Sequence, residues 1–204
     1  LFAVSREGEE APLLGAWAQR TARSEQGAAR PLLVIVPRHP QRFDEVAALM
    51  RASGLSLARR SDWADEPPAA ALAADAWLGD SMREMALYYG LGQVALLGGS
   101  FEPLGGQNLI EAAACGCPVV MGPHTFNFAE AAELAAAAGA AQRVDGIETA
   151  LDAALALLAD PARLAGCGER SRAFAAEHRG AAQRMAEDIL ALWPEVQPRL
   201  PPHD

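Results

Sequence analysis

The chain has 204 residues, enough for one domain with a helical appendage; half of them are hydrophobic and a fifth charged, so the composition suits a packed core. A formal net charge of -9 argues against general nucleic-acid binding, which needs a basic face. All 17 basic residues are arginine, and the absence of lysine excludes a P-loop kinase or ATPase.

Leu1 to Ser5 is an apolar strand pattern followed by a charged loop, Arg6-Glu7-Gly8-Glu9-Glu10. Leu13, Leu14, Trp17 and Ala18 keep helical spacing, with acid at the start as the helix dipole prefers. After a linker-like break at Gly27 to Arg30, Pro31 to Val36 is a second strand ending in Pro37-Arg38-His39-Pro40. Phe43, Val46, Leu49 and Met50 mark a helix that stops at Ser53-Gly54. Leu55 to Arg59 reads as a third strand and Ser61 to Ala74 as a loop. Ala76 to Leu78 is a very short strand ending in Gly79-Asp80-Ser81, and Met82, Met85, Ala86 and Tyr89 mark the next helix. Val94 to Leu97 is a buried strand running into Gly98-Gly99-Ser100. Gly105-Gly106 then precedes a helix over Asn108 to Cys115, and Cys117 to Met121 is another strand. A helix through Ala138 and a short strand, Ala140 to Val144, follow. From Glu148 the chain is helical, with a long amphipathic helix from Arg163 to Trp193 stopped by Pro194 and a fraying tail from Gln197 to Asp204.

Strands and helices alternate, and the strands are continuously apolar. That pattern predicts an α/β, Rossmann-like parallel sheet with helices on both faces, covering residues 1–147, and a C-terminal helical segment, 148–204, packing on it. In such sheets ligands bind outside the carboxyl ends of the strands. Five polar clusters fall at such ends: Ser5-Arg6-Glu7, Pro37-Arg38-His39, Gly79-Asp80-Ser81, Gly98-Gly99-Ser100 and Gly122-Pro123-His124.

Arg38 and Arg42 flank His39, and arginine forks suit carboxylate and phosphate; the alternatives are a surface arginine pair and a structural histidine. The glycine-rich loop before the helix at Asn108 offers main-chain N–H groups to an anion. Asn108 is either a helix cap or a ligand contact. Glu111, on a helix whose neighbours Ile110, Ala112 and Ala113 suggest burial, is expected to have a specific partner, such as sugar hydroxyls. His124 has no companions at metal-ligand spacing, and no GxSxG elbow is present. Three cysteines, Cys115, Cys117 and Cys167, without a CxxC pattern point to packing and a reducing compartment. No run of 18 apolar residues is present, and the start at Leu1, inside a strand, suggests a fragment with more chain before it.

These residues resemble a known family. Gly98-Gly99-Ser100, Gly105-Gly106-Gln107-Asn108, Glu111-Ala112-Ala113 and the run from Pro118 to Phe128, containing GPHTFNF, are similar to the C-terminal half of the 3-deoxy-D-manno-octulosonic acid (Kdo) transferases. Upstream, SREGEE, PRHPQRF and GDSMREMALYY resemble that family's segments in the same order. The resemblance implies the C-terminal half of a GT-B glycosyltransferase, an inverting enzyme that moves Kdo from CMP-Kdo to lipid A precursor at the cytoplasmic face of the bacterial inner membrane. It implies no metal or other cofactor. It also implies that the acceptor site, the general base and the membrane contact lie in an N-terminal domain outside this chain, so that no catalytic residue is expected here. Carried over by position, the donor-binding residues are Arg38, His39, Met82, Glu84, Gly98, Gly99, Ser100, Asn108 and Glu111. The donor's phosphate and carboxylate would lie near Arg38 and the Gly98 loop, and its ribose on Glu111. Arg83 stands where the family usually has glycine, and Gln107 where histidine is common. The alternatives are a UDP-sugar transferase or epimerase on the same scaffold, told apart by preference for UDP over CMP, and a non-catalytic sugar-nucleotide module, told apart by the gene upstream of Leu1.

Overall fold

The computed structural model describes residues 1–22, 30–178 and 185–191. The element order is β1 (Phe2–Ser5), α1 (Glu10–Ala22), β2 (Leu33–Pro37), α2 (Phe43–Ala52), β3 (Leu57–Arg59), α3 (Ala69–Leu72), β4 (Ala76–Leu78), α4 (Met85–Leu91), β5 (Ala95–Leu97), α5 (Ile110–Ala114), β6 (Val119–Met121), α6 (Ala129–Ala137), β7 (Ala141–Arg143), α7 (Ile147–Leu158) and α8 (Pro161–Glu177). The seven strands form one parallel sheet in the order β3-β4-β2-β1-β5-β6-β7. The expected α/β parallel sheet is therefore present.

Alternation along each strand sends successive side chains to opposite faces. Phe2, Leu96 and Val120 join α1, α2 and α7 on one face, around Leu13, Met50 and Leu151. Ala3, Leu97 and Met121 face the other way, onto α5, α6 and α8 through Ala112, Ala132 and Phe174. The helices after residue 147 thus cover both faces of the sheet. α8 opens with Pro161 at its first turn and the Asp160 carboxylate accepting from the Arg163 amide at 3.0 Å, a capping arrangement that fixes its start. The long helix expected from Arg163 begins here. Its first part, through Glu177, is well packed, with Phe174 and Ala175 buried against the sheet layer. Residues 185–191 are also helical, while the continuation at 179–184, Trp193 and the tail lie outside the described residues, as does most of the break expected at Gly27 to Arg30.

Three local departures from the sequence expectation have physical causes. The stretch 61–74 is not all loop: Pro68 sets the entry to an alanine run that forms α3. The helix expected from Met82 starts at Met85, because residues 81–84 close a turn in which the Ser81 hydroxyl donates to Glu84 and Arg83 takes a left-handed φ of 66°. The helix expected from Asn108 starts at Ile110, whose amide donates to the Asn108 side-chain oxygen Oδ1 at 3.0 Å.

β1 sits at the centre, between β2 and β5. The chain winds outward from it on one side through β2 and on the other through β5, so the topological switch point lies outside the carboxyl ends of β1 and β5. β1 is irregular there. Its pairing with β2 shifts between Ala3 and Ser5, and Val4 adopts φ 58°, an outlier for a β-branched residue.

Candidate functional site

Five adjacent strands, β4, β2, β1, β5 and β6, deliver their following loops to one edge of the sheet, and every predicted site residue falls on these loops or on α5. Gly98 lets the loop after β5 approach β1 closely: a Cβ there would lie 2.4 Å from the Val4 carbonyl oxygen and 2.6 Å from Ser5 Cα. Ser100 is fully buried; its hydroxyl donates to the Leu97 carbonyl at 2.5 Å and accepts from the Gly122 amide at 2.8 Å. It ties the loop after β5 to the loop after β6. The GPHTFNF segment then folds over the second glycine pair. The Asn127 amide donates to the Gly105 carbonyl at 3.1 Å, and Gly105, at φ 90°, leaves no room for a Cβ beside Asn127 Nδ2.

Glu9 and Glu10, where the loop after β1 enters α1, are buried and have different work. Glu10 accepts a hydrogen bond from Ser5 at 2.7 Å and a two-pronged one from Arg42 at 2.7 and 3.1 Å. Arg42 also reaches Glu45 at 3.0 Å. Arg42 is therefore a buried structural partner of Glu10, which neither anion recognition nor a surface arginine pair anticipated. Glu9 turns the other way. Its carboxylate accepts the amides of Arg6 at 2.9 Å, Gly99 at 2.8 Å and Phe101 at 3.2 Å. Burial pushes the Glu9 carboxyl up, and these main-chain bonds only partly offset that.

This corrects one expectation. Among the N–H groups of the glycine-rich loop, those of Gly99 and Phe101 already face a carboxylate. The helix behind the loop, α5, has five residues, too short for a strong dipole. Charge at this edge is instead offered by side chains. Arg38 is exposed and Arg6 half-buried, and among the described residues neither guanidinium has a hydrogen-bond or ion-pair partner. Arg6 also lies against Gly99, since a Cβ on Gly99 would meet Arg6 Cγ at 3.4 Å. The sequence reading placed Arg6 at a strand end but did not single it out; the loop's charge signal was there, and only the partnering of its neighbours separates it from them. His39 is half-buried beside Arg38.

Beyond β4, Met82 and Arg83 are exposed at the rim. Glu84 is half-buried and accepts from Arg60 at 2.8 Å as well as from Ser81, whose hydroxyl also lies 3.0 Å from Tyr88. Asp80 anchors the same turn, accepting from Arg59 at 2.6 Å and from the Ser61 amide and hydroxyl at 2.8 and 2.7 Å. Glu84 and Asp80 thus brace the turn that carries Met82 and Arg83. On α5, Glu111 is exposed, contrary to the expectation of burial. Ala112 and Ala113 take the core side, and Asn108 Nδ2 donates to Glu111 at 3.2 Å. Asn108 therefore serves the start of α5 and Glu111 together.

Elsewhere, Cys117 is buried and its thiol is pushed up to about 12 by burial, which suits packing. Hollows of about 320 and 250 Å³ lie at the opposite, amino-terminal edge of the sheet, around Trp17, Leu32 and Trp77, away from every loop described above. No helix among the described residues is long and apolar enough to cross a membrane.

No family model matches the chain. It is 51% identical over 192 residues to a 3-deoxy-D-manno-octulosonic acid transferase of Bordetella pertussis, covering 94% of this chain and 44% of that protein. A protein of the same name from Haemophilus influenzae is 37% identical over 157 residues, covering 76% of this chain and 36% of the relative. The chain thus spans less than half the length of these curated relatives. Among solved structures, the C-terminal CMP-Kdo binding domain of WaaA from Acinetobacter baumannii superposes with a TM-score of 0.73 at 32% identity, covering 84% of this chain and 85% of that one. With 51% identity along most of its length to a Kdo transferase, and with its fold shared over 85% of that CMP-Kdo binding domain at 32% identity, the chain belongs to the Kdo transferase family.

Proposed function

We propose that this chain is the donor-binding part of a Kdo transferase and that its carboxyl-edge loops hold CMP-Kdo. The observation that carries the reading is the pair of guanidiniums, Arg6 and Arg38, unpartnered among the described residues and set side by side after β1 and β2 at the carboxyl edge of an otherwise acidic protein. CMP-Kdo presents a phosphate and a carboxylate, and arginine forks meet both. Arg38, with His39, takes the anionic groups from the β2 side and Arg6 from the β1 side. Gly98, Gly99 and Ser100 shape the floor, Ser100 from within. Glu111, exposed and oriented by Asn108, accepts from ribose hydroxyls. Met82 lines the rim, on a turn braced by Glu84.

As Kdo transfers, the departing CMP gains negative charge on its phosphate. Preorganised cations stabilise that charge, and the reading calls for no metal. The acceptor hydroxyl needs a general base, which we place in the N-terminal half of the full-length protein. That half also carries lipid A precursor binding and contact with the cytoplasmic face of the inner membrane. Transfer is taken to invert the anomeric centre, in keeping with direct displacement.

The test is to add CMP to the isotope-labelled chain and follow its amide resonances. Shifts concentrated in 6–9, 38–42, 80–85, 98–111 and 122–127 support the site. Shifts concentrated around Trp17, Leu32 and Trp77 instead, at the amino-terminal hollows, would refute it.

A further inference from the structure

Glu9 is a buried charge that the nucleotide reading leaves unused. It is 1% exposed, and no arginine among the described residues pairs with it, since Arg42 goes to Glu10 and Glu45. Its carboxylate spans from the loop after β1 to the loop after β5, the two strands that flank the switch point. One oxygen takes the amides of Arg6 and Gly99, the other that of Phe101. Main-chain N–H groups that converge on one concavity are an arrangement by which proteins bind anions. Here that position is filled from within the chain. A buried carboxylate without a cationic partner is costly, so it persists only where several donors converge on it.

We propose that Glu9 is a positioning residue, a built-in anion that fills the amide nest of the glycine-rich loop, locks that loop to β1 and leaves the arginine side chains rather than the main chain to meet the donor's phosphate. This inference rests on the reading of the carboxyl edge as a CMP site.

Two variants of this 204-residue chain test it. Glu9→Gln has one acceptor oxygen where three amides need two, and its NH2 group opposes an N–H. Glu9→Asp keeps the charge but is one methylene short of spanning both loops. Each is expected to weaken CMP binding about tenfold, the scale of losing a hydrogen bond to a charged group. Each is also expected to speed hydrogen exchange at the Gly99 and Phe101 amides while amides in β2 and α7 keep their protection. If Glu9→Gln fails to show a cooperative unfolding transition, Glu9→Asp carries the test. A folded variant that binds CMP within twofold of the parent, or that leaves Gly99 and Phe101 exchange unchanged, overturns the proposal. A parent chain that binds no CMP would overturn the site reading instead, and the exchange of Gly99 and Phe101 would still decide whether Glu9 holds the loop.

Discussion

Arg42 forks onto Glu10, with Nη1 donating to Oε1 at 2.7 Å and Nη2 to Oε2 at 3.1 Å, and the two side chains are 10% and 1% exposed. The pair joins the loop after β1 to the start of α2, and so sets the spacing between the strand ends that carry Arg6 and Arg38. Replacing Arg42 with alanine strands the Glu10 carboxylate in the interior. Loss of one member of a buried pair costs about 3–5 kcal/mol. Urea unfolding is expected to show a loss of that size in Arg42→Ala; a change under about 1 kcal/mol would mean that water reaches Glu10.

Arg83 sits at φ 66°, where glycine is at ease and a side chain is strained. Its guanidinium has no partner among the described residues, so nothing there offsets the strain. Arg83→Gly should stabilise the chain by about 0.5–1 kcal/mol, or raise Tm by about 1–4 °C for a domain of this size. Thermal unfolding checks this, and a lower Tm would contradict it.

Asp80 contributes to stability on the acid side. Burial pushes its carboxyl up, but hydrogen bonds from Ser61 and Arg59 outweigh that and hold it below the usual 3.8. A carboxyl depressed in the folded state contributes stability that is present above 3.8 and lost as pH falls through its folded value. Asp80→Asn should therefore flatten the acid limb of a stability–pH curve. Glu9 has the opposite sign: held above its usual 4.5, it contributes stability that is present below 4.5 and lost as pH rises through the folded value. Denaturant midpoints across the acid range separate the two, and an unchanged acid limb in Asp80→Asn would contradict the assignment.

Glu111 and Arg38 are exposed, so their replacement should leave folding within about 0.5 kcal/mol of the parent. Under the proposed function, Glu111→Ala and Arg38→Ala should each weaken CMP binding about tenfold. The loss in Arg38→Ala should shrink at high salt, where the phosphate contact is screened in the parent as well. Calorimetric titration at two salt concentrations reads both effects. Parent-like affinity in either variant would remove that residue from the site.

The sheet was legible in the sequence because continuous apolar runs such as Leu33 to Val36 and Val94 to Leu97 permit little else in a parallel fold. The strand-end rule then picked out loops that the structure brings to one edge of the sheet. The sequence did not show which charges face inward. Glu7, Glu9 and Glu10 look alike in a charged loop, yet Glu7 is exposed while Glu9 and Glu10 are buried with different partners. Burial of that kind depends on contacts about ninety residues apart in the case of Glu9 with Gly99, which no local pattern records. Glu111 failed the other way: the alanines beside it signalled a buried helix, but a helix shows one face to the core and another to water.

Calorimetric titration of the parent chain with CMP and, separately, with UMP tests the central claim most directly. The proposed function predicts saturable binding of CMP and weaker binding of UMP by the folded chain. No saturation with CMP at millimolar concentration, or a preference for UMP, would contradict it.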